Sequence, residues 1–221
     1  MTTAPEDSVA AREAMVARQL RARGIRDERT LEAMRRVARE KFFPRSDRRF
    51  AYRDGAFSIG LGQTISQPYM VALMTEALGV TRQSRVLEVG TGSGYQAAIL
   101  AELARHVYTV ERLPELSRRA RRALCEELGY GNISFRVGDG TLGWPEQAPF
   151  DRFMVTAGAP ARPQTLIEQL APGGQGVAPV GSHGFQTLMR YRKGKDGAVE
   201  EEELCQCVFV KLIGKEGWQE R

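Results

Sequence analysis

Apolar positions divide the chain into a helical beginning, an alternating middle and a strand-rich end. From Asp7 to Arg23, Val9, Val16 and Leu20 recur on one helical stripe with Met15 beside them, and Gly24 ends the pattern. Asp27 stands where a cap would open a second helix, in which Leu31, Met34 and Val37 recur at three-residue steps. From Lys41 to Gly62 no period is sustained, which predicts a long loop of the kind often used as a lid. Pro68 lies in the first turn of a third helix, with Val71, Met74, Ala77 and Leu78 among its apolar positions.

Short apolar runs then alternate with helical segments. Val86–Val89, Val107–Val110, Ile133–Val137 and Phe150–Ala157 read as strands, which predicts an α/β domain with a mostly parallel sheet. A short helix from Pro163 to Leu170 leads to Pro172-Gly173-Gly174 and a strand through Val177 to Val180. Gln186–Arg192 and Leu204–Ile213, separated by a turn at 193–197, read as an antiparallel hairpin closing the sheet. At 221 residues the chain is expected to be one domain. Residues 1–45 are its helical cover, 46–66 a substrate or lid loop, and 67–221 the core with the C-terminal hairpin.

The strongest local signal is Arg85-Val86-Leu87-Glu88-Val89-Gly90-Thr91-Gly92-Ser93-Gly94-Tyr95-Gln96, which reads as strand, glycine turn and helix start. Glycines there admit a ligand close to the backbone, and the helix start offers unpaired N–H groups. The next strand-like run ends at Glu111, placed to accept hydrogen bonds from ribose hydroxyls, with Arg112 beside it. Gly90, Gly92 and Gly94 are spaced by two, so they miss the G-x-G-x-x-G dinucleotide fingerprint. E-x-G-x-G-x-G is instead the pattern of S-adenosylmethionine-dependent methyltransferases. A ligand with no pyrophosphate can tolerate a second carboxylate, Glu88, near its cationic amino-acid end. A nicotinamide-dependent oxidoreductase is disfavoured on the same grounds.

Two further positions carry alternatives. Ser66 stands where it could simply cap the helix that Pro68 opens, or could present its hydroxyl with Gln63, Thr64 and Ile65 to an anion. Asp139, followed by Gly140 at the end of the third strand of the alternating core, could read an adenine amino group or bond its own turn.

The formal net charge of +5 brings nucleic acid into question, but the arginines cluster at positions expected on solvated helix faces. No stacking module or interleaved basic-aromatic region is visible, so no nucleic-acid partner is expected. Three cysteines, an odd number, argue against a disulfide framework and for a reducing, cytoplasmic setting. No apolar run has membrane-spanning length and no leader core is visible, so no membrane partner is expected either. His106 and His183 are isolated, which leaves no Ser-His or metal constellation.

Gly62-Gln63-Thr64-Ile65-Ser66-Gln67-Pro68, the central glycine stretch, Val137-Gly138-Asp139-Gly140 and Leu170-Ala171-Pro172-Gly173-Gly174 together resemble the protein-L-isoaspartate O-methyltransferases of bacterial type. The likeness runs from about Gly24 to Trp218, and the Gln-Thr-Ile-Ser-Gln-Pro segment makes it narrow. The resemblance implies a Rossmann-like methyltransferase fold with a seven-stranded sheet, helices on both faces and an N-terminal helical cover. It also implies a monomer that takes S-adenosylmethionine and methylates the free α-carboxylate of isoaspartyl residues in damaged proteins. On that pattern Ser66 is the active-site residue, and Gln63, Thr64, Ile65, Glu88, Gly90, Thr91, Gly92, Glu111, Arg112, Asp139 and Gly140 surround the cofactor. Val208, Phe209 and Val210 would lie along the substrate with Ser66, although Lys211 departs from the proline common in the family. The alternatives are a methyltransferase of the same fold acting on RNA or a small molecule, and a non-catalytic scaffold that binds S-adenosylmethionine.

Overall fold

A computed structural model describes residues 5–220, with side chains from Ser8 onward. Helix α1 (Pro5–Met15) continues through a wide turn over Val16–Leu20 and a tight one over Arg21–Arg23, after which Gly24 adopts φ +101° and its N–H closes on the Arg21 carbonyl. Helix α2 (Glu28–Arg36) is capped by Asp27, whose carboxylate accepts from the Thr30 hydroxyl at 2.8 Å. Leu20, Ile25, Leu31 and Met34 are fully buried and pack in one core with α3 (Pro68–Leu78) and α4 (Tyr95–Leu103).

Seven strands form the main sheet: β3 (Arg85–Val89), β4 (His106–Glu111), β5 (Ile133–Val137), β6 (Phe150–Val155), β7 (Leu170–Ser182), β8 (Phe185–Lys193) and β9 (Val199–Cys207). Their order is β5-β4-β3-β6-β7-β8-β9. The first five are parallel, while β8 and β9 are antiparallel additions at one edge. The expected seven-stranded, mostly parallel Rossmann-like sheet is present. Strand β3 is buried on both faces, as a parallel strand covered by helices must be. Val86 faces a core shared with α3, α4, α5 (Pro114–Arg121) and the N-terminal helices. Leu87 and Val89 face the second core, closed by α6 (Gln164–Glu168) and the chain near Trp144 and Leu212. From β3 the chain winds outward to β5, then crosses back to β6. That reversal opens a crevice at the carboxyl ends of β3, β4 and β6.

Four local expectations are corrected. The stretch expected as an unstructured loop contains tight turns over Arg45–Phe50 and an antiparallel hairpin, β1 (Phe57–Gly60) and β2 (Gln63–Ile65). Three- and four-residue strands are too short to register as a period, and the turn needs positive φ at Gly60, Leu61 and Gly62. Strand β7 starts at Leu170 and absorbs Pro172-Gly173-Gly174 through an irregular register against β6. Strand β9 spans 199–207, so Val208, Phe209 and Val210 lie beyond it. Its early start is polar because cross-strand pairs support it: Glu202 receives Arg190 and Arg192 from β8, where the periodicity sought apolar residues. Finally, Ser66 does not cap α3. Gln67 occupies the cap position, without a side-chain bond to the helix.

Candidate active site

The crevice holds a solvent-open cavity walled by segment 63–66, the glycine turn after β3 and the chain at the ends of β4 and β6. Clefts of this kind at strand ends are where small-molecule ligands gather. One wall is the glycine turn after β3. Gly90 and Gly92 have φ of +96° and +53°, and a Cβ at Gly90 would lie 2.4 Å from Thr156 Oγ1. Thr156 donates that hydroxyl to the Gly90 carbonyl at 2.6 Å, so the end of β6 pins the turn. Glycine is needed there both for backbone conformation and for space.

Glu111, at the end of β4, is nearly buried and lines the cavity. Its two oxygens accept from the Gly92 N–H at 2.9 Å and the Leu113 N–H at 3.0 Å. A carboxylate offers about four acceptor positions, so two remain for a ligand. That is the need of a ribose diol. Arg112 lines the same region and is held by Glu220 at 2.8 Å.

Hairpin β1–β2 forms the opposite wall through Gln63, Thr64 and Ile65, and Ser66 follows at its end. Ser66 is half-buried, and its hydroxyl makes no hydrogen bond among the described residues; its carbonyl accepts from Arg39 at 2.7 Å. With the cap role removed, the hydroxyl is left for the cavity.

Thr91, Gly92, Gly140 and Val210 also line the cavity. Glu88, Asp139, Val208 and Phe209 do not. Glu88 is fully buried beneath the glycine turn, where it accepts from Thr109 Oγ1 at 2.5 Å; Thr109 in turn contacts the Thr91 hydroxyl at 2.6 Å. Burial raises the Glu88 carboxyl to about 8, the Thr109 hydrogen bond opposes that, and the charge of Glu111 adds to it. One Glu88 oxygen has no partner. Asp139 caps a tight turn, accepting from the Thr141 N–H and hydroxyl and from the Lys215 N–H at 2.7 Å. Its partial burial acts to raise the carboxyl, yet these bonds hold it below the ordinary range. One acceptor position on Oδ2 stays open.

Phe209 is fixed by a residue that is itself outside the cavity wall. Its N–H donates to the side chain of Gln186 at 2.8 Å, while Val208 is largely exposed. Val210 and Leu212 pair with Gly158, which brings Lys211 to the cavity wall. Sequence reasoning missed Thr156 and Ala157, although they follow β6 and strand ends are where such ligands gather. It also missed Tyr95 and Gln96 as wall residues.

A doubly wound sheet, a glycine turn without the dinucleotide spacing and a cavity-lining carboxylate at the end of the second strand of the parallel core are the features of the Rossmann-like methyltransferase class. The family profile described as "Protein-L-isoaspartate(D-aspartate) O-methyltransferase (PCMT)" matches residues 10–217, and the chain belongs to that family. It is 56% identical over 208 residues to protein-L-isoaspartate O-methyltransferase 2 of Geotalea uraniireducens, covering 94% of this chain and 95% of that one. The enzyme of Methanoculleus marisnigri is 54% identical over 208 residues, covering 94% of each. A solved protein-L-isoaspartate O-methyltransferase superposes with a TM-score of 0.80 at 30% identity, over 93% of this chain and 67% of that one. A Plasmodium falciparum structure of the family, in complex with S-adenosyl-L-homocysteine, gives 0.78 at 25% identity, over 91% and 98%.

Proposed function

We propose that this site transfers a methyl group from S-adenosylmethionine to the free α-carboxylate of L-isoaspartyl residues in damaged proteins, with Ser66 orienting that carboxylate. One observation carries the reading: Glu111, with two acceptor positions open, and Ser66, whose hydroxyl is unbonded among the described residues, line the same cavity. Bound there, S-adenosylmethionine supplies a methyl group on a positively charged sulfur.

The residues present suit that ligand. Glu111 takes the ribose hydroxyls and Gly140 the edge of the adenine, with the open Oδ2 position of Asp139 available to its amino group. Gly90, Thr91 and Gly92 give close backbone approach at the other end. Glu88 acts through Thr109 and Thr91, holding the turn from beneath.

The substrate carboxylate needs no base, because α-carboxyl groups ionise at about 3.3–3.7. Among the described residues, the charged side chains on the wall are Glu111, Arg112 and Lys211. None is needed as a proton acceptor. Transfer joins an anion and a cation and reduces charge separation, so a strongly cationic clamp on the carboxylate would favour the ground state. A neutral hydroxyl aligns without that cost, and alignment with water exclusion becomes the source of rate. The Val208-Phe209-Val210 segment receives the substrate backbone. A monomer in the cytoplasm fits the odd cysteine count and the substrate class. No helix among the described residues is long and apolar enough to cross a membrane.

Ser66→Ala tests the role assigned to the hydroxyl. Turnover on an isoaspartyl peptide should fall about tenfold or more, with calorimetric affinity for S-adenosylhomocysteine within about twofold of wild type, for loss of one hydrogen bond used only in transfer. Unchanged turnover would remove Ser66 from the mechanism.

A further inference from the structure

Arg39 is a buried cation that the reaction scheme above does not use. It is the largest of the fully buried side chains, and it lies in the turn Arg39–Phe42 after α2. Among the described residues no carboxylate pairs with it. Its Nε donates to the Ala51 carbonyl and its Nη2 to the Ser66 carbonyl, each at 2.7 Å. The guanidinium carbon lies 4.7 Å from the ring centre of Tyr95, a cavity-wall residue, and 5.5 Å from that of Phe43. Burial lowers the group to about 10, with Tyr95 opposing the shift, so it stays protonated at neutral pH.

The two carbonyls are the significant feature. Ala51 and Ser66 bracket the segment that contains hairpin β1–β2, and that hairpin supplies Gln63, Thr64 and Ile65 to the cavity. One planar fork therefore holds both ends of the segment 51–66, which carries the hairpin, at a fixed separation. A lysine ammonium lacks that geometry. Within 51–66 the Tyr52 carbonyl also accepts from Gln19 at 2.8 Å and Asp54 from Gln67 at 2.7 Å, but both lie ahead of the hairpin; on the hairpin itself Arg119 of α5 reaches the Ile59 carbonyl at 3.4 Å.

We propose that Arg39 is a positioning residue for methyl transfer, its guanidinium setting the hairpin over the cofactor site and the Ser66 backbone beside it. The link to turnover rests on the proposed role of Ser66; the link to the hairpin does not. Arg39→Lys and Arg39→Met test both. Hydrogen exchange by mass spectrometry is read on peptides covering 57–66 and on those covering β3 and β4. Methyl transfer to an isoaspartyl peptide and calorimetry with S-adenosylhomocysteine are measured beside it.

In Arg39→Lys, exchange across 57–66 should accelerate about tenfold or more, as expected for one lost charge-assisted hydrogen bond. Exchange in β3 and β4 should be unchanged, and kcat should fall by a similar factor with peptide KM changing less. Arg39→Met should show the same pattern more strongly; if it does not fold, the lysine variant decides alone. Wild-type exchange across 57–66 in a folded Arg39→Lys protein overturns the proposal. So does acceleration spread equally through β3 and β4, which would make Arg39 a core support only. Faster hairpin exchange with wild-type kcat overturns the link to transfer. If the wild-type protein methylates no isoaspartyl peptide, the functional reading fails separately, and the exchange and calorimetry arms still judge Arg39.

Discussion

Replacing Glu111 by glutamine is the sharpest perturbation of the cofactor site, because the structure states what each oxygen does. The carboxylate accepts from the Gly92 and Leu113 N–H groups and keeps two acceptor positions for the ligand. Alanine would leave both N–H groups unpaired in a nearly buried place, at about 1–3 kcal/mol each. That total is a large share of the roughly 5–15 kcal/mol of a whole domain, so fold and affinity would change together. Glutamine keeps the shape and one carbonyl acceptor, but turns an NH2 toward the other N–H and removes the charge. On the ligand side the loss is one charge-assisted hydrogen bond, about 1.5–3 kcal/mol. At 1.4 kcal/mol per factor of ten, affinity for S-adenosylhomocysteine should fall roughly 10- to 100-fold. Titration calorimetry at pH 7 measures it, with circular dichroism confirming the fold. A dissociation constant within twofold of wild type, in a folded Glu111→Gln protein, would refute the assignment of Glu111 to the ribose.

Two other predictions address the surroundings of the site. Glu88 has its carboxyl raised by burial to about 8 from 4.5, so the folded state holds a proton that the unfolded chain has released. Stability from this group is therefore present below about pH 4.5 and declines as pH rises to about 8. Glu88→Gln should remove that decline, its melting temperature exceeding wild type increasingly from pH 5 to pH 8; parallel curves would show that Glu88 does not titrate there. Gln186 is nearly buried and accepts from the Phe209 N–H while donating to the Ser182 carbonyl. Gln186→Leu removes both bonds and frees the Phe209 N–H, and should raise peptide KM about tenfold with cofactor affinity unchanged; an unchanged KM would detach Val208-Phe209-Val210 from substrate binding.

Much of this architecture was readable before any coordinates. The parallel core was legible because β3, β4, β5 and β6 are apolar runs separated by helices, and burial on both faces demands that composition. The cofactor turn was legible because only glycine tolerates the approach of Thr156 to Gly90. The hairpin β1–β2 was hidden because its strands are shorter than any periodic window. Strand β9 was placed too late because Glu202 is held by Arg190 and Arg192 of β8 and Glu201 by Arg162 ahead of α6, pairings no single stretch reveals. Glu88 and Asp139 show a subtler difference. The motif marks both as important, but neither lines the cavity, and each is engaged by neighbouring hydroxyl or N–H groups. Arg39 was misplaced by the pattern, which sets it with Arg35 and Arg36 on a solvated helix face; it is fully buried, because two carbonyls distant in sequence converge on it.

The central claim is tested most directly by supplying labelled methyl-S-adenosylmethionine with two peptides that differ only in one linkage, L-isoaspartyl against normal L-aspartyl, and with bulk RNA beside them. The account predicts base-labile methyl ester on the isoaspartyl peptide and background label on the other two. Normal donor binding with no label on the isoaspartyl peptide, or equal label on the aspartyl one, would contradict it.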